Sequence, residues 1–310
     1  MITERIPIVS RPQWLAARKQ DVTASDAAAI FSAHPHKSPL ALWAEKSGTD
    51  LPSDENAFAR RGRHLEPAIL SAAGEAETFS GGVLEPARFY VRAPALRIGA
   101  TPDALFVRPD APPEPVDAKS VASWVFDTAW ADGAPPLHIQ IQVLVQAMLL
   151  DAPRGWVACA VMTPEWPIHV YEIPRNPDAE KRILLGVKEF WQSVEKGEMP
   201  APLAKDHATL AAIFPRAEQA EPVDWSAEND AVALLDEWAA LGEELAPKKA
   251  RISQIEALVK ARMGSAERAH APGWAVSWKE QKRKAYAVAE SVYRVLRIKA
   301  YSPDGEEVGA

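Results

Sequence analysis

Two carboxylates and an amine stand near one another in the stretch from Leu96 to Lys119. Asp103 lies in Thr101-Pro102-Asp103, and Asp117 precedes Lys119 by two places in Val116-Asp117-Ala118-Lys119. A short apolar run (Ala104 to Val107) and a Pro-rich turn separate the two aspartates. On a strand, residues two apart point to the same face, so Asp117 and Lys119 share one side of a sheet. A hairpin-like return across the turn brings both carboxylates to one point. Carboxylate oxygens gathered there suit a hard divalent cation, and a lysine beside them suits the water that such a cation activates. Asp103 is equally at home as turn chemistry, and Asp117 with Lys119 as a solvated pair on an edge strand. Only the flanking chain separates the two.

That flanking chain carries further groups of the right chemistry. Glu66 follows Gly62-Arg63-His64-Leu65, and Pro67 behind it implies a helix kink or a helix start, which fixes the carboxylate in place. Arg18 and Ser25-Asp26 pass locally for a surface charge and a helix cap. Together, an arginine fork and a hydroxyl beside a helix N-terminus also make a phosphate seat. Gln140 and Gln142 interrupt the apolar run Leu137 to Leu150. Buried amides need partners, so these two either reach inward to a site or form one exposed stripe.

The elements that must position these groups follow from caps, breaks and periodicity. Pro12, Trp14, Leu15 and Arg18 mark a short helix, and Thr23 and Ser25 can cap a second that carries Ala27 to Phe31. Ser38-Pro39 opens a third, Leu40 to Lys46, with Gly48 as its stop. Asn56 to Leu70 begins a longer helix, Val83 to Val91 reads as a strand, and Leu137 to Leu150 is a helix by length. Gly155 to Met162 and Ile168 to Ile173 are strands of a hairpin, and Asp178 to Lys196 is a helix. Residues 1–200 therefore form a mixed sheet flanked by helices, of the α/β or α+β class. The composition of residues 201–224 is that of a linker. Residues 225–310 read as a helix or coiled-coil hairpin kinked at Pro247, ending in a basic β-hairpin near Gly273 to Tyr286. Charge is polarised here: residues 221–245 hold eight acidic groups and residues 279–299 seven basic ones.

At 310 residues and 47% hydrophobic content, the chain can bury a full core. No apolar run approaches the roughly 18 residues of a membrane span, and the N-terminus has no basic, then apolar, signal pattern. The single cysteine, Cys159, rules out an internal disulfide and a four-cysteine metal site, which points to a reducing cytoplasm. A net charge of −7 argues against a coat-like nucleic-acid binder. It leaves room for a nuclease, whose metal site is itself acidic.

Seven ordered blocks carry a resemblance over roughly residues 11 to 200: Trp14-Leu-Ala-Ala-Arg18, Ala24-Ser-Asp-Ala-Ala-Ala-Ile30, Ser38-Pro-Leu-Ala-Leu-Trp-Ala-Glu-Lys-Ser-Gly48, Arg61-Gly-Arg-His-Leu-Glu-Pro67, Ala100-Thr-Pro-Asp-Ala-Leu105, Val116-Asp-Ala-Lys119 and His138-Ile-Gln-Ile-Gln142. Together they resemble the YqaJ-like viral recombinase family, which includes the lambda-type phage exonucleases of the PD-(D/E)XK nuclease superfamily. The resemblance implies a restriction-endonuclease-like core binding Mg²⁺ or Mn²⁺ through Asp103, Asp117, the Ala118 carbonyl and Glu66. Lys119, Gln140 and Gln142 complete the catalytic set, one glutamine reaching the attacking water or the scissile phosphate. Arg18, Ser25 and Thr101 match a pocket for a DNA 5′-phosphate. The implied activity is 5′→3′ exonuclease digestion of linear duplex ends in phage-type recombination. Its implied partners are double-stranded DNA ends, a single-strand annealing protein and further copies in a ring. An endonuclease or single-strand nuclease on the same scaffold, or an inactive end-binding protein, are the alternatives. Three positions depart from the pattern: Asp117 where many relatives have glutamate, Thr101 where serine is common, and His34-Pro35-His36 in place of an Asn-Pro-Tyr type of loop.

Overall fold

The computed structural model describes residues 1–51, 57–130, 133–217, 222–282 and 293–298. Its chain begins with strand β1 (Glu4–Pro7) and helix α1 (Arg11–Lys19), whose first turn is closed by the Ser10 hydroxyl accepting from the Gln13 amide. Strand β2 (Val22–Thr23) leads directly into α2 (Ala24–Ile30). Helix α3 (Pro39–Lys46) starts where expected, with Ser38 accepting from Ala41 N and Pro39 in the first turn, where no amide proton is missed. Helix α4 (Ala57–Ala73) continues through Pro67. Then come β3 (Val83–Pro86), β4 (Phe89–Ala93), β5 (Ile98–Ala100), β6 (Ala104–Arg108) and β7 (Ala111–Ala122). They are followed by α5 (Ser123–Ala129), α6 (Leu137–Leu150), β8 (Arg154–Met162), β9 (Ile168–Pro174), α7 (Pro177–Lys196) and α8 (His207–Ile213).

These elements form one of two compact units, Met1–Phe214. It holds a five-stranded mixed sheet, ordered β3-β6-β7-β8-β9, in which only β7 and β8 run parallel. Parallel neighbours need a crossover, and the chain between β7 and β8 supplies it with α5 and α6. A second sheet of four strands has the order β1-β4-β5-β2. The expected class, mixed sheet between helices, is the one observed.

The sheet's two faces explain where the chemistry falls. Val116, Ala158 and Ala160 pack with Ile69, Leu70 and Ala73 of α4 and with Phe79 and Phe106. Val157 and Cys159 face the other way, into a core with Val143, Leu144 and Met148 of α6 and Ile183, Val187 and Phe190 of α7. Asp117 pairs in register with Val157 and Lys119 with Cys159. Alternation along β7 therefore turns Asp117 and Lys119 toward α6.

Three expectations need correction. Val83 to Val91 is not one strand: β3 pairs with β6 and β4 with β5, in different sheets, because Pro86-Ala87-Arg88 interrupts the ladder. Residues 201–224, a linker by composition, contain helix α8 and a 3₁₀ turn at Ala204–Asp206. Asp206 is buried there, accepting from the Ser38 hydroxyl and from Leu203 N at 2.7 Å, and those bonds hold the segment against α3. In the second unit, Pro215–Ala310, the helical hairpin is instead one 35-residue helix, α9 (Asn229–Met263), which continues through Pro247. A two-stranded hairpin follows, β10 (Arg268–Ala271) with β11 (Trp274–Ser277). Arg283, Lys284 and Lys299, three of the expected basic residues, lie outside the described residues.

Gly99 gives a direct check on the packing. A Cβ there would lie 2.1 Å from the Tyr90 hydroxyl, which donates to buried Asp21 at 2.9 Å. Gly99→Ala is expected to destabilise the first unit by about 1–3 kcal/mol, read as a lower midpoint in thermal unfolding. An unchanged midpoint would contradict this contact.

Candidate active site

The β6–β7 hairpin closes as its spacing suggests. Ala104 pairs with Val116, and Asp103, one residue before β6, accepts from Ala118 N at 2.7 Å through its Oδ2. Asp117, only 1% exposed, forms an ion pair through Oδ2 with the Lys119 ammonium. Its Oδ1 accepts from Gln142 Nε2 at 2.5 Å and from Gln146 Nε2 at 3.1 Å. Lys119 also donates to Gln142 Oε1 at 3.3 Å, which fixes the orientation of that amide. Both glutamines come from α6, four positions apart and therefore on one face.

The charges here do not balance. Burial pushes the Asp103 carboxyl well above its usual range, and the nearby Asp117 and Glu66 carboxylates push it further. Glu66 is raised by burial and then by Asp117. Burial pulls Lys119 down, but Asp117 and Asp103 more than reverse that, so it stays an ammonium. Three acids thus face one cation.

A cleft of about 450 Å³ opens from this cluster, lined by Glu66, Asp103, Gln142 and Gln146 at one part and by Arg18, Ser25 and Thr101 at another. Arg18 reaches Thr23 Oγ1 at 3.5 Å and Ser25 Oγ at 3.4 Å, and its guanidinium lies 4.5 Å from the centre of the Trp14 ring. Trp14 Nε1 donates to Thr101 Oγ1 at 3.0 Å. One arginine and three hydroxyls are therefore held together, with the indole beneath them.

Behind this seat lies a buried anchor. The Thr23 hydroxyl donates to Asp26 Oδ2 at 2.6 Å, and Lys37 Nζ lies 2.6 Å from Asp26 Oδ1. Burial alone would raise the Asp26 carboxyl, but Lys37, Lys46 and the Thr23 hydroxyl lower it to about 2. A carboxyl lowered on folding stabilises the protein above its unfolded value and loses that contribution as pH falls toward the folded one. Asp26→Asn is accordingly expected to lower the unfolding midpoint near neutral pH. The gap from the parent should close between about pH 4 and about pH 2. A gap constant across that window would contradict the arrangement.

Most of the candidate residues come together: Glu66, Asp103, Asp117, Lys119 and Gln142, with Arg18, Ser25 and Thr101 along the same cleft. Ala118, expected to offer its carbonyl, meets the cluster through its amide. Gln140 does not join. Its amide donates to Pro135 O at 2.6 Å, and it lines a different cleft with Tyr171 and Asn176. Two positions along a helix turn a side chain through about 200°, so Gln140 and Gln142 face opposite ways. Gln146, fully buried, was missed, although its i+4 relation to Gln142 is visible in the sequence. Trp14, Thr23, Arg11 and Arg63 also line the cleft without having been singled out for it.

The donor set fits a hard divalent cation in chemistry and charge. Its atoms are carboxylate oxygens, its three acids exceed its one ammonium, and the buried Gln146 Oε1 has no hydrogen-bond partner among the described residues. Among the described residues no three acid, imidazole or thiol groups enclose a metal on their own. An ion of the Mg²⁺ type keeps several waters and binds through one or two carboxylates plus substrate phosphate. His34 serves its loop instead: its Nδ1 accepts from His36 N and Lys37 N at 3.1 and 2.9 Å.

Residues 13–152 match the YqaJ-like viral recombinase domain. A curated relative is the uncharacterized protein YqaJ of Bacillus subtilis (strain 168), 24% identical over 276 residues, covering 87% of this chain and 84% of that one. Similar solved structures include an alkaline exonuclease from Laribacter hongkongensis, at 18% identity and a TM-score of 0.49, covering 66% of this chain and all of that one. Another is a phage-related exonuclease from Haemophilus somnus 129PT, at 12% identity and a TM-score of 0.40, covering 61% and 89%. Among the described residues no helix is long and apolar enough to cross a membrane.

Proposed function

We propose that the protein is a divalent-cation-dependent deoxyribonuclease that digests linear duplex DNA from its 5′ ends and leaves a 3′ single strand. One observation carries this reading: a single cleft is lined both by Glu66 and Asp103 of the acid cluster and by the Arg18–Ser25–Thr101 seat. A terminal phosphate held in that seat brings the first phosphodiester toward the acids. A phosphate inside a continuous strand lacks the extra charge of a terminal one, and the seat then favours ends.

Asp103 and Asp117, with Glu66, would hold Mg²⁺ or Mn²⁺. When bound, such a cation acidifies a water and neutralises charge on the scissile phosphate. Lys119, kept protonated by its acidic neighbours, acts as a hydrogen-bond donor and positive charge toward the phosphate as negative charge builds there. Gln142 and Gln146 hold Asp117 Oδ1 so that the carboxylate keeps one orientation. Arg18 and its hydroxyls bind the departing end, with Arg11 and Arg63 adding positive charge along the cleft. The partners are duplex ends, and a single-strand annealing protein would receive the exposed 3′ strand.

The test compares linear 5′-phosphorylated duplex with covalently closed circular DNA, with Mg²⁺ and after chelation. Digestion of the linear form alone, abolished by chelator and restored by excess Mg²⁺, is expected. Equal cutting of closed circles, or full activity in chelator, would overturn the proposal.

A further inference from the structure

The second unit presents an apolar stripe on helix α9. Leu234, Trp238, Leu241, Leu245, Ile252 and Ile255 recur at alternating steps of three and four, interrupted once at Lys248, and are between 44% and 67% exposed. Ala231 begins the series and Val259 continues it. This is a heptad seam running the length of the helix, about 50 Å at 1.5 Å per residue. A helix of this length with its apolar seam in water lacks the packing that normally supplies most helical stability.

Charge and register identify what covers the seam. Residues 229–247 carry five acids (Asp230, Asp236, Glu237, Glu243, Glu244) and no base; residues 248–263 carry five bases (Lys248, Lys249, Arg251, Lys260, Arg262) and one acid, Glu256. A parallel pair of such helices would set acid against acid, base against base, and Lys248 against its own copy in the seam. An antiparallel pair sets each acidic half against a basic half. It also matches the layers: Leu234 against Val259 of the partner subunit, Trp238 against Ile255 of the partner subunit, and Leu241 against Ile252 of the partner subunit. Lys248 then meets Leu245 of the partner subunit and reaches past it to solvent. Flanking the seam, Glu244 meets Arg251 of the partner subunit, twice by symmetry. Pro247 falls on the outer face, away from the contact.

We infer that helix α9 binds the same helix of a second copy of this chain as an antiparallel two-stranded coiled coil. The occupant is another copy because the seam and the two charged halves are self-complementary about one twofold axis.

The test uses full-length chains carrying distinguishable tags. Cys159 is buried, so introduced surface thiols report without competition from it. A Leu241→Cys chain mixed with an Ile252→Cys chain is expected to give a mixed disulfide dimer on mild oxidation, while neither links to itself. Self-linking of Leu241→Cys would mean a parallel pair, and absence of the mixed dimer would mean another occupant, such as the chain's own C-terminal segment; either overturns the inference. As a second readout, Glu244→Arg should raise the dimer dissociation constant roughly tenfold, and adding Arg251→Glu to the same chain should restore it. No change on Glu244→Arg would count against the register.

Discussion

Lys119→Ala is expected to slow digestion of linear duplex by roughly 10²- to 10⁴-fold, while binding of the same duplex stays close to the parent's. Among the described residues the side chain pairs with Asp117 Oδ2 and donates to Gln142 Oε1 at 3.3 Å. Neither is needed to seat a terminal phosphate, whose contacts under the proposed function would come from Arg18, Ser25 and Thr101. Removing the ammonium takes away the cation paired with Asp117 and the hydrogen-bond donor that would meet the charge building on the phosphate. Asp117→Ala should lose comparable activity by a different route, since it removes a carboxylate that would hold the cation. Single-turnover digestion of a labelled end, with duplex binding measured in Ca²⁺, separates the two effects. Parental turnover by either variant would remove these residues from the mechanism.

Arg18→Ala should act on the choice of end. The parent is expected to digest a 5′-phosphorylated end faster than a 5′-hydroxyl end. Hydrogen bonds to charged groups are worth about 1.5–3 kcal/mol, so the preference should be roughly ten- to a hundredfold. In Arg18→Ala the two ends should be digested at nearly equal rates. Ser25→Ala and Thr101→Val each remove one hydroxyl and should reduce the preference less. A preference untouched by Arg18→Ala would show that the terminal phosphate is bound elsewhere, leaving the acid cluster unaffected by that result.

Local rules made much of this legible. Ser38 caps its helix as read, because a hydroxyl followed by a proline is a strong start signal, and it accepts from the amide three residues on. Period-two alternation placed Asp117 and Lys119 together. What failed was local information about long-range pairing. Pro86 within Val83 to Val91 marks a break, but that its two halves join different sheets is decided by partners at Ala104–Arg108 and Ile98–Ala100. Gln140 entered with Gln142 as the Gln-x-Gln pair of the resemblance, whereas a helix presents positions four apart, Gln142 and Gln146, to one neighbour. Trp14 read only as part of a short helix, and its indole N–H meets Thr101 once residues 87 positions apart are brought together. Proline ends neither long helix, since α4 and α9 each continue through one.

The most direct measurement is diffraction from crystals of the full chain soaked with Mn²⁺ and a 5′-phosphorylated duplex end. An anomalous peak at the Asp103 and Asp117 carboxylates, with the terminal phosphate on Arg18, Ser25 and Thr101, is the expected result. Manganese bound away from both aspartates while DNA occupies the cleft would contradict the account.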